Sequence, residues 1–267
     1  MRNRKIGQKI LIMVCLAGVG FVGAPIFSGS SACVFAAQDS GSSSPLVSEV
    51  QKRLRNKSYK DVTVQSNGNG GIILSGQVDL YGYKVSAVKN AKKVRGVQNV
   101  QDNIAVGGPT IPDNVLEHKL LSRIEVDRVG YGQVFDAIGV SVQNGVATLG
   151  GHALGPVAKQ SAISLVEYTP GVKGVNDHIS VDPVSPFDNG IRVGTYRAIY
   201  GFSGLRQYAI VPAKPIRISV QNGHVTLYGI VNNQMDKQLA YTRAMQVPNV
   251  FSVTNNLQVA NQPKEKK

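Results

Sequence analysis

The sequence predicts an α+β protein of three tandem small two-layer domains, each a three-stranded mixed sheet covered by two helices (αββαβ). Three observations support this prediction. The segment SVQNGVATLGG at residues 141–151 returns almost unchanged as SVQNGHVTLYG at residues 219–229. Both segments alternate apolar and polar residues around an Asn-Gly pair, which is typical of a β-hairpin. Downstream of each, apolar residues recur at helical spacing before a further apolar strand begins.

The repeat extends beyond these segments and has a third copy. Positions are counted from the last glycine of each hairpin: Gly76, Gly151 and Gly229. Offset eight is lysine in every copy (Lys84, Lys159, Lys237), and offset eleven is alanine (Ala87, Ala162, Ala240). Apolar or small residues follow at offsets fifteen and eighteen, and these steps of four and three trace one helical face. So many coincident positions identify an internal repeat.

The hairpin prediction includes a register. A two-residue Asn222-Gly223 turn places Val220 opposite Val225 and Ile218 opposite Leu227, all on one face. The second copy repeats this arrangement, with the pairs Val142–Ala147 and Val140–Leu149. The first copy has SNGNGG in place of the tight turn, so a looser hairpin is expected there, with Ile72 and Leu74 still facing inward.

The remaining elements follow from spacing. About twenty residues with a helical stripe separate each hairpin from the last strand, which predicts a crossover that makes the second and third strands parallel. Residues 46–54 (LVSEVQKRL) and 112–124 (PDNVLEHKLLSRI) predict amphipathic helices ahead of the first two hairpins. Each unit therefore reads helix, strand, strand, helix, strand.

This order of elements resembles the BON domain (bacterial OsmY and nodulation domain). The resemblance rests on the V-x-N-G-x-x-x-L-x-G hairpin and on the G-V-x-x-V-x-(N/D) entry to the last strand. Three copies would occupy residues 46–107, 112–183 and 188–260, with a charged tail at 261–267. Copy three departs from the pattern because Asn249 replaces the turn glycine. The resemblance implies a non-catalytic envelope protein that binds anionic phospholipid or membrane-associated partners, often in osmotic or envelope stress.

The N-terminus predicts export to the periplasm or beyond. Four basic residues among the first nine precede an apolar run from Ile10 to Phe27, as in a signal peptide. Cleavage after Ala37 and lipidation of Cys33 are both compatible with the residues, and an uncleaved anchor is a third possibility. We take residues 1–37 as the export signal and residues 38–45 as a flexible linker.

Composition restricts the partners. Both cysteines, Cys15 and Cys33, lie in the export segment, so each small module must rely on a modest core and on contacts between modules. Residues 46–106 carry ten basic against four acidic residues, residues 112–183 five against eight, and residues 184–259 seven against two. An exported protein does not normally meet nucleic acid. The predicted partners are therefore an anionic membrane surface or envelope proteins.

Two sets of residues are candidate binding residues. The first is a basic set for anionic lipid: Lys52, Arg53, Arg55, Lys84, Lys89, Lys92, Lys93 and Arg95. The alternative for this set is a solvated helix face. The second combines aromatic rings with arginine for a membrane interface or partner: Tyr196, Arg197, Tyr200 and Phe202. Because Tyr196 and Tyr200 lie four residues apart, a helix covering its own sheet explains them equally well.

The lysine at offset eight has two explanations. It could form a recurring anion site, or it could be an exposed helix start whose aliphatic stem is buried.

No motif for catalysis, a metal or a cofactor is found. The four histidines show no ligand spacing, and His152 and His224 are expected at exposed positions next to the hairpins. Nucleophile-elbow, phosphate-loop and dinucleotide motifs are absent from the sequence. We therefore expect a non-enzymatic protein without metal or cofactor. The oligomeric state is left open.

Overall fold

The computed structural model describes residues 44–128, 133–210 and 215–260. Module 1 consists of α1 (Pro45–Arg53), β1 (Val62–Gly68), β2 (Gly71–Val78), α2 (Tyr81–Lys92) and β3 (Asn99–Val106). Module 2 consists of α3 (Asp113–Arg128), β4 (Ala137–Gln143), β5 (Val146–Ala153), α4 (Pro156–Glu167) and β6 (Gly174–Val181). Module 3 consists of α5 (Pro186–Tyr200), α6 (Gln207–Ile210), β7 (Arg217–Gln221), β8 (His224–Val231), α7 (Gln234–Met245) and β9 (Ser252–Val259).

The three sheets share one topology, which confirms the predicted α+β fold. In each, the first two strands pair antiparallel and the third pairs parallel to the second. The predicted registers are also confirmed, since Val140 pairs with Leu149 and Ile218 with Leu227. In module 1 the pairing shifts between Ser66 and Gly68, which is the looser hairpin that the sequence predicts.

The last glycine of each hairpin is required because two strands approach each other closely there. Gly76, Gly151 and Gly229 have φ values of 115°, 99° and 129°. A Cβ atom on Gly151 would lie 2.0 Å from the carbonyl oxygen of Ala137, and one on Gly76 would lie 1.9 Å from that of Asp61. Each hairpin therefore needs glycine at this position for both backbone conformation and space.

Asn249, which replaces the turn glycine in copy three, keeps the backbone conformation of the other two copies. Gly96 and Gly171 both have φ 98° at this position, and Asn249 has φ 67°. Asparagine is the residue after glycine that most readily adopts the left-handed region. The turn into the last strand is thus kept in module 3.

Each module has its own hydrophobic core between the helices and one face of the sheet. The offset-eleven alanines of all three copies are fully buried, as are Ile72 and Leu74 in module 1. Alanine at this offset lets the second helix lie close to the sheet. The predicted inward positions are therefore confirmed.

The modules are also packed against one another, since the described residues of all three fall within one compact unit. Tyr168 at the end of α4 contacts module 1, with its ring 5.5 Å from that of Tyr83. Val134 and Phe135, which precede β4, pack against the core of module 3. These contacts agree with the expectation that modules without disulfides are stabilised partly by contacts with neighbouring modules.

The export signal, the linker up to residue 43, Cys33 and the tail at 261–267 lie outside the described residues. Within the described ranges, the longest apolar helical stretch falls short of what a membrane crossing requires.

Candidate functional site

The two helices of module 1 carry the predicted basic set. Leu46, near the start of α1, lies beside the end of α2, since a Cβ on Gly96 would be 3.5 Å from its Cδ1 atom. At the opposite end, the rings of Tyr59 and Tyr83 meet 6.2 Å apart. The two helices therefore run antiparallel. Their basic C-terminal turns lie at opposite ends of one helical layer, about 10 Å apart along the axis.

Seven of the eight predicted basic side chains are exposed, and we call them the basic layer: Lys52, Arg53, Arg55, Lys89, Lys92, Lys93 and Arg95. None forms a salt bridge with an acidic residue in the part of the chain that the structure describes. The nearest acidic influence is Glu167 of module 2. Burial raises the pKa of Glu167, and the charge of Lys89 partly offsets this effect. Apart from Lys89, whose charge interacts with Glu167, the basic layer thus presents to solvent cations without a salt bridge among the described residues.

Lys84 has a different role from the other seven. Its Nζ atom donates a 2.6 Å hydrogen bond to the Ile104 carbonyl and lies 3.5 Å from Asp102. Its charge is therefore directed at the last strand of its own module. The structure gives Lys84 a structural task, and it leaves Lys84 less available to an external anion than its neighbours.

We call this contact of the offset-eight lysine with the last strand the lysine clamp. It occurs again in module 2 and is changed in module 3. Lys159 Nζ donates to the Ile179 carbonyl at 2.7 Å and pairs with Asp177 at 2.8 Å. Burial opposes ionisation of Asp177, but hydrogen bonds from Lys159 and the Ile179 amide hold its pKa below the usual value. In module 3 the aspartate position is Asn255, whose side-chain amide donates to the Lys237 carbonyl at 2.9 Å. Sequence reasoning found this lysine but not its partner on the last strand.

A pocket of about 380 Å³ opens beside the end of α1. Its lining combines Arg55, Lys57 and Lys60 with an apolar group formed by Leu54, Tyr59, Val62 and Val64. Lys57 and Lys60 were absent from the predicted basic set. This mixture of basic and apolar lining residues depends on the loop after α1 lying against β1, which the sequence alone did not predict.

The aromatic stretch of module 3 is divided between core and surface. Tyr200 is 6% exposed, and its hydroxyl donates a 2.7 Å hydrogen bond to the Ile216 carbonyl. Burial raises the pKa of Tyr200 far above its ordinary value. Phe202 packs against the same core under the guanidinium of Arg243, 4.1 Å from the ring centroid. For Tyr200 and Phe202 the structure therefore favours the core interpretation.

Tyr196 and Arg197 remain at the surface. The Tyr196 ring lies 6.2 Å from that of Phe135, so it helps to cover the boundary between modules 2 and 3. Arg197 is exposed.

A buried carboxylate joins modules 2 and 3. Asp182 is 1% exposed and accepts hydrogen bonds from the backbone of Val220 at 3.2 Å and the side chain of Gln221 at 3.0 Å. His152 Nδ1 lies 3.0 Å from the same carboxylate. Burial opposes ionisation of Asp182, but hydrogen bonds from His152, Gln221 and Ser219 hold its pKa below the ordinary value. The expected exposed position of His152 was wrong, since it lies in β5, half-buried against module 3.

The described residues contain no cluster of three or more His, Cys, Asp or Glu side chains that could hold a metal ion. Asp182 and His152 lie together, but their partners are a backbone amide and an amide side chain. This arrangement holds two modules together and offers no nucleophile.

Comparisons with known proteins agree with this architecture. The family model described as "BON domain" matches residues 42–108, 112–183 and 203–261. No curated protein matches the chain. Among solved structures, the C-terminal domain of CdsD, a structural protein of the type III secretion system of Chlamydia trachomatis, is 14% identical. That match covers 83% of this chain and 100% of the CdsD domain at a TM-score of 0.23.

The periplasmic domain of PrgH, an inner membrane protein of the S. typhimurium type III secretion system, is 12% identical. It covers 78% of this chain and 98% of the PrgH domain at a TM-score of 0.19. Scores this low carry no inference about shared architecture or partners. The family match, in contrast, spans most of the described residues in three tandem regions, as the internal repeat predicts. The chain therefore belongs to the BON-domain family and contains three copies of its module.

Proposed function

We propose that this protein is an exported, non-catalytic component of the cell envelope whose first module binds anionic phospholipid surfaces. Family membership supports the envelope-associated, non-catalytic part of the proposal. The basic layer of module 1 supports the lipid part, because it combines seven exposed cations without a salt bridge among the described residues. This exposed positive charge without salt bridges among the described residues is the observation on which the proposal depends.

The expected strength of binding is modest. Each basic residue near an anionic surface contributes about 1 kcal/mol. The seven side chains lie at two ends of the layer and cannot all touch a flat surface at once. Four or five contacts at a time give roughly millimolar binding. Binding of this kind is reversible and weakens with salt. A lipid anchor at Cys33 would strengthen it by holding the module at the surface.

Liposome flotation tests the proposal. The exported chain, residues 38–267, should float with vesicles that contain phosphatidylglycerol and remain behind with vesicles of phosphatidylcholine alone. Replacing Lys92 and Lys93 by Glu should reduce binding by about thirtyfold, because at least about 2 kcal/mol of attraction is lost.

Lys119→Glu with Lys173→Glu is a matched control. Both lysines are exposed, and the net charge changes by the same amount, but they lie on module 2. A smaller loss in this control supports the basic layer as the site. Equal losses in both variants would show that binding follows total charge, and unchanged binding in the Lys92 and Lys93 variant would remove the site.

A structural adaptor for protein or peptidoglycan partners is the second candidate function. Two exposed rings favour it: Phe187 is 45% exposed, Phe251 is 65% exposed, and their centroids lie 5.9 Å apart. Contacts of this kind do not depend on charge. A partner that stays bound at high salt and is lost on Phe251→Ser would support the adaptor function over lipid binding.

Export and a role in osmotic or envelope stress belong to the same proposal. Cell fractionation followed by mass measurement of the processed N-terminus distinguishes cleavage after Ala37 from lipidation at Cys33. Full-length chain in the cytoplasm would contradict export.

A further inference from the structure

Asn-Gly pairs can change chemically without an enzyme. The backbone nitrogen of the glycine attacks the side-chain amide carbon of the preceding asparagine, and glycine has no Cβ to obstruct the approach. Five such pairs lie in the described residues, and they begin at Asn67, Asn69, Asn144, Asn189 and Asn222. Those at Asn69, Asn144 and Asn222 form the hairpin turns of the three modules.

The three hairpin turns have almost the same backbone. Asn69, Asn144 and Asn222 have φ values of 46°, 53° and 50°, and the glycines that follow them have φ values of 76°, 76° and 82°. In each turn the glycine carbonyl accepts a 2.9 Å hydrogen bond from the amide of the residue directly before the last strand. A difference in reactivity between the folded turns must therefore come from their surroundings.

A carboxylate covers the turn amides in modules 2 and 3. Asp113, at the start of α3, accepts hydrogen bonds from the amides of Asn144 at 2.7 Å and Gly145 at 2.9 Å. Asp188, in the first turn of α5, accepts one from the amide of Gly223 at 2.8 Å. Gly145 and Gly223 are also buried. In both turns an anionic acceptor thus holds the nitrogen that would have to attack.

Module 1 has no such cap. The first turn of α1 contains no acidic residue, and the amide of Gly70 has no hydrogen-bond acceptor among the described residues. Gly70 is only half-buried, and Asn69 is exposed. The strand pairing also shifts between Ser66 and Gly68, so this hairpin is held less tightly than the other two. The Gly70 nitrogen is therefore the one best able to approach the side chain before it.

Regular structure restrains the two remaining pairs. Asn67 lies in β1, and the amide of Gly68 donates a 3.3 Å hydrogen bond to the Ser66 hydroxyl. Asn189 and Gly190 lie inside α5, whose helical backbone they would have to leave before the attack.

We propose that Asn69 is a site of spontaneous deamidation, with water as the co-reactant. The Gly70 nitrogen loses its proton to solvent and bonds to Asn69 Cγ. The Cγ–Nδ2 bond then breaks, ammonia leaves with a proton from solvent, and a succinimide ring remains. Water opens the ring at one of its two carbonyl carbons, which gives aspartate or isoaspartate. Each event consumes one water, releases one ammonia and replaces a neutral side chain by a carboxylate.

The carboxylate caps protect Asn144 and Asn222 for two reasons. Attack breaks the hydrogen bond of the glycine amide, and a bond to an ionised acceptor is stronger than a neutral one. The negative charge of the cap also disfavours the deprotonated amide that attacks. Each cap should therefore slow formation of the succinimide by at least about tenfold.

The turn of module 1 lies beside the α2 end of the basic layer. A Cβ on Gly70 would be 2.7 Å from the carbonyl oxygen of Gly96, which directly follows Arg95. Asn69→Asp carries the charge of the product from the start and should bind phosphatidylglycerol vesicles about threefold less tightly at low salt. This effect rests on the proposed function, and equal flotation of the variant and the wild-type chain would contradict it. The modification itself does not depend on lipid binding.

Peptide mapping by mass spectrometry tests the site. The exported chain, residues 38–267, is kept for several days in mildly alkaline buffer, and trypsin then releases Asn69, Asn144 and Asn222 in three separate peptides. Fragment ions distinguish Asn69 from Asn67 in the first peptide. Asn69 should lose its side-chain amide at least about tenfold faster than Asn144 and Asn222 in the same sample. In urea, where the caps are lost, the three rates should converge.

Asp113→Ala is the matched variant. Asp113 is only half-buried, so its removal should leave the core intact. The rate at Asn144 should rise by about tenfold, while the rates at Asn69 and Asn222 stay the same. The rate at Asn222 reports whether the variant remains folded, and the wild-type comparison decides the matter if it does not.

Three results would overturn the proposal. The first is a rate at Asn69 no higher than at the two capped turns. The second is an unchanged rate at Asn144 in folded Asp113→Ala. The third is a difference among the three turns that persists in urea, because it would come from the neighbouring sequence and not from the caps.

Discussion

Replacing Tyr168 by Ala should uncouple modules 1 and 2 without unfolding either core. Tyr168 is 39% exposed, so about three fifths of the residue is buried. Its edge-to-face pairing with Tyr83 contributes about 1 kcal/mol, and the hydrogen bond to Ser86 contributes about as much. Together with the lost apolar contact on Gly82, the substitution should cost about 2 to 3 kcal/mol.

Chemical denaturation measures this loss, and two further variants divide it. Tyr168→Phe keeps the ring and removes the hydroxyl, so it should cost about 1 kcal/mol. Combined with Ser86→Ala it gives a double-mutant cycle, in which the coupling energy should be about 0.5 kcal/mol or more. Spin labels on modules 1 and 2 should show a broader distance distribution in Tyr168→Ala. An unchanged free energy of unfolding with an unbroadened distribution would refute the interpretation of Tyr168 as the link.

Three other predictions concern single residues. Gly151→Ala should lower the free energy of unfolding by about 3 kcal/mol or more, because its Cβ would collide with the Ala137 carbonyl at 2.0 Å, and thermal unfolding should show it. Lys159→Met should cost about 1 to 2 kcal/mol through loss of the bonds to Ile179 and Asp177, whereas Lys237→Met, where the partner position is Asn255, should cost less than about 0.5 kcal/mol. Equal effects in urea titrations of the two variants would contradict the clamp. Asp182 has a depressed pKa in the folded state, so its contribution to stability is present above the ordinary aspartate pKa and is lost as pH falls through the folded value. Asp182→Asn should therefore flatten the acid limb of the stability profile measured between about pH 5 and pH 2, and an unaltered limb would argue against this role.

The features that could be predicted from the sequence are those that all three copies share. Strand pairing, the buried alanines and the parallel third strand depend on local periodicity and turn chemistry, and these are visible in each copy separately. Asn249 appeared to be a departure, yet its φ of 67° shows that the same backbone was kept with another residue. Local rules of this kind hold because the alternatives would bury polar groups or create a clash.

The contacts between distant residues were beyond sequence reasoning. The partner of Lys84 is a carbonyl twenty residues away, and a hydrogen bond to the backbone leaves no residue-type signal at its acceptor. His152 looked exposed because its own hairpin would leave it so, but Asp182, directly after β6, and Gln221 of module 3 cover it. Tyr168 likewise occupies a position whose counterparts are Lys93 and Gln246, so the repeat gave no sign of its role.

Differences at the same few offsets explain how one repeated fold can serve several purposes. Docking of module 2 uses Gly82, Tyr83 and Ser86 in the first turns of α2. The last turns of the same helix, with Lys92 and Lys93, stay exposed because Tyr168 does not reach them. Attachment to module 2 therefore uses the first turns of α2 and leaves Lys92 and Lys93 available for an anionic surface. Tyr168→Ala should thus leave lipid flotation intact while it loosens the contact between modules 1 and 2.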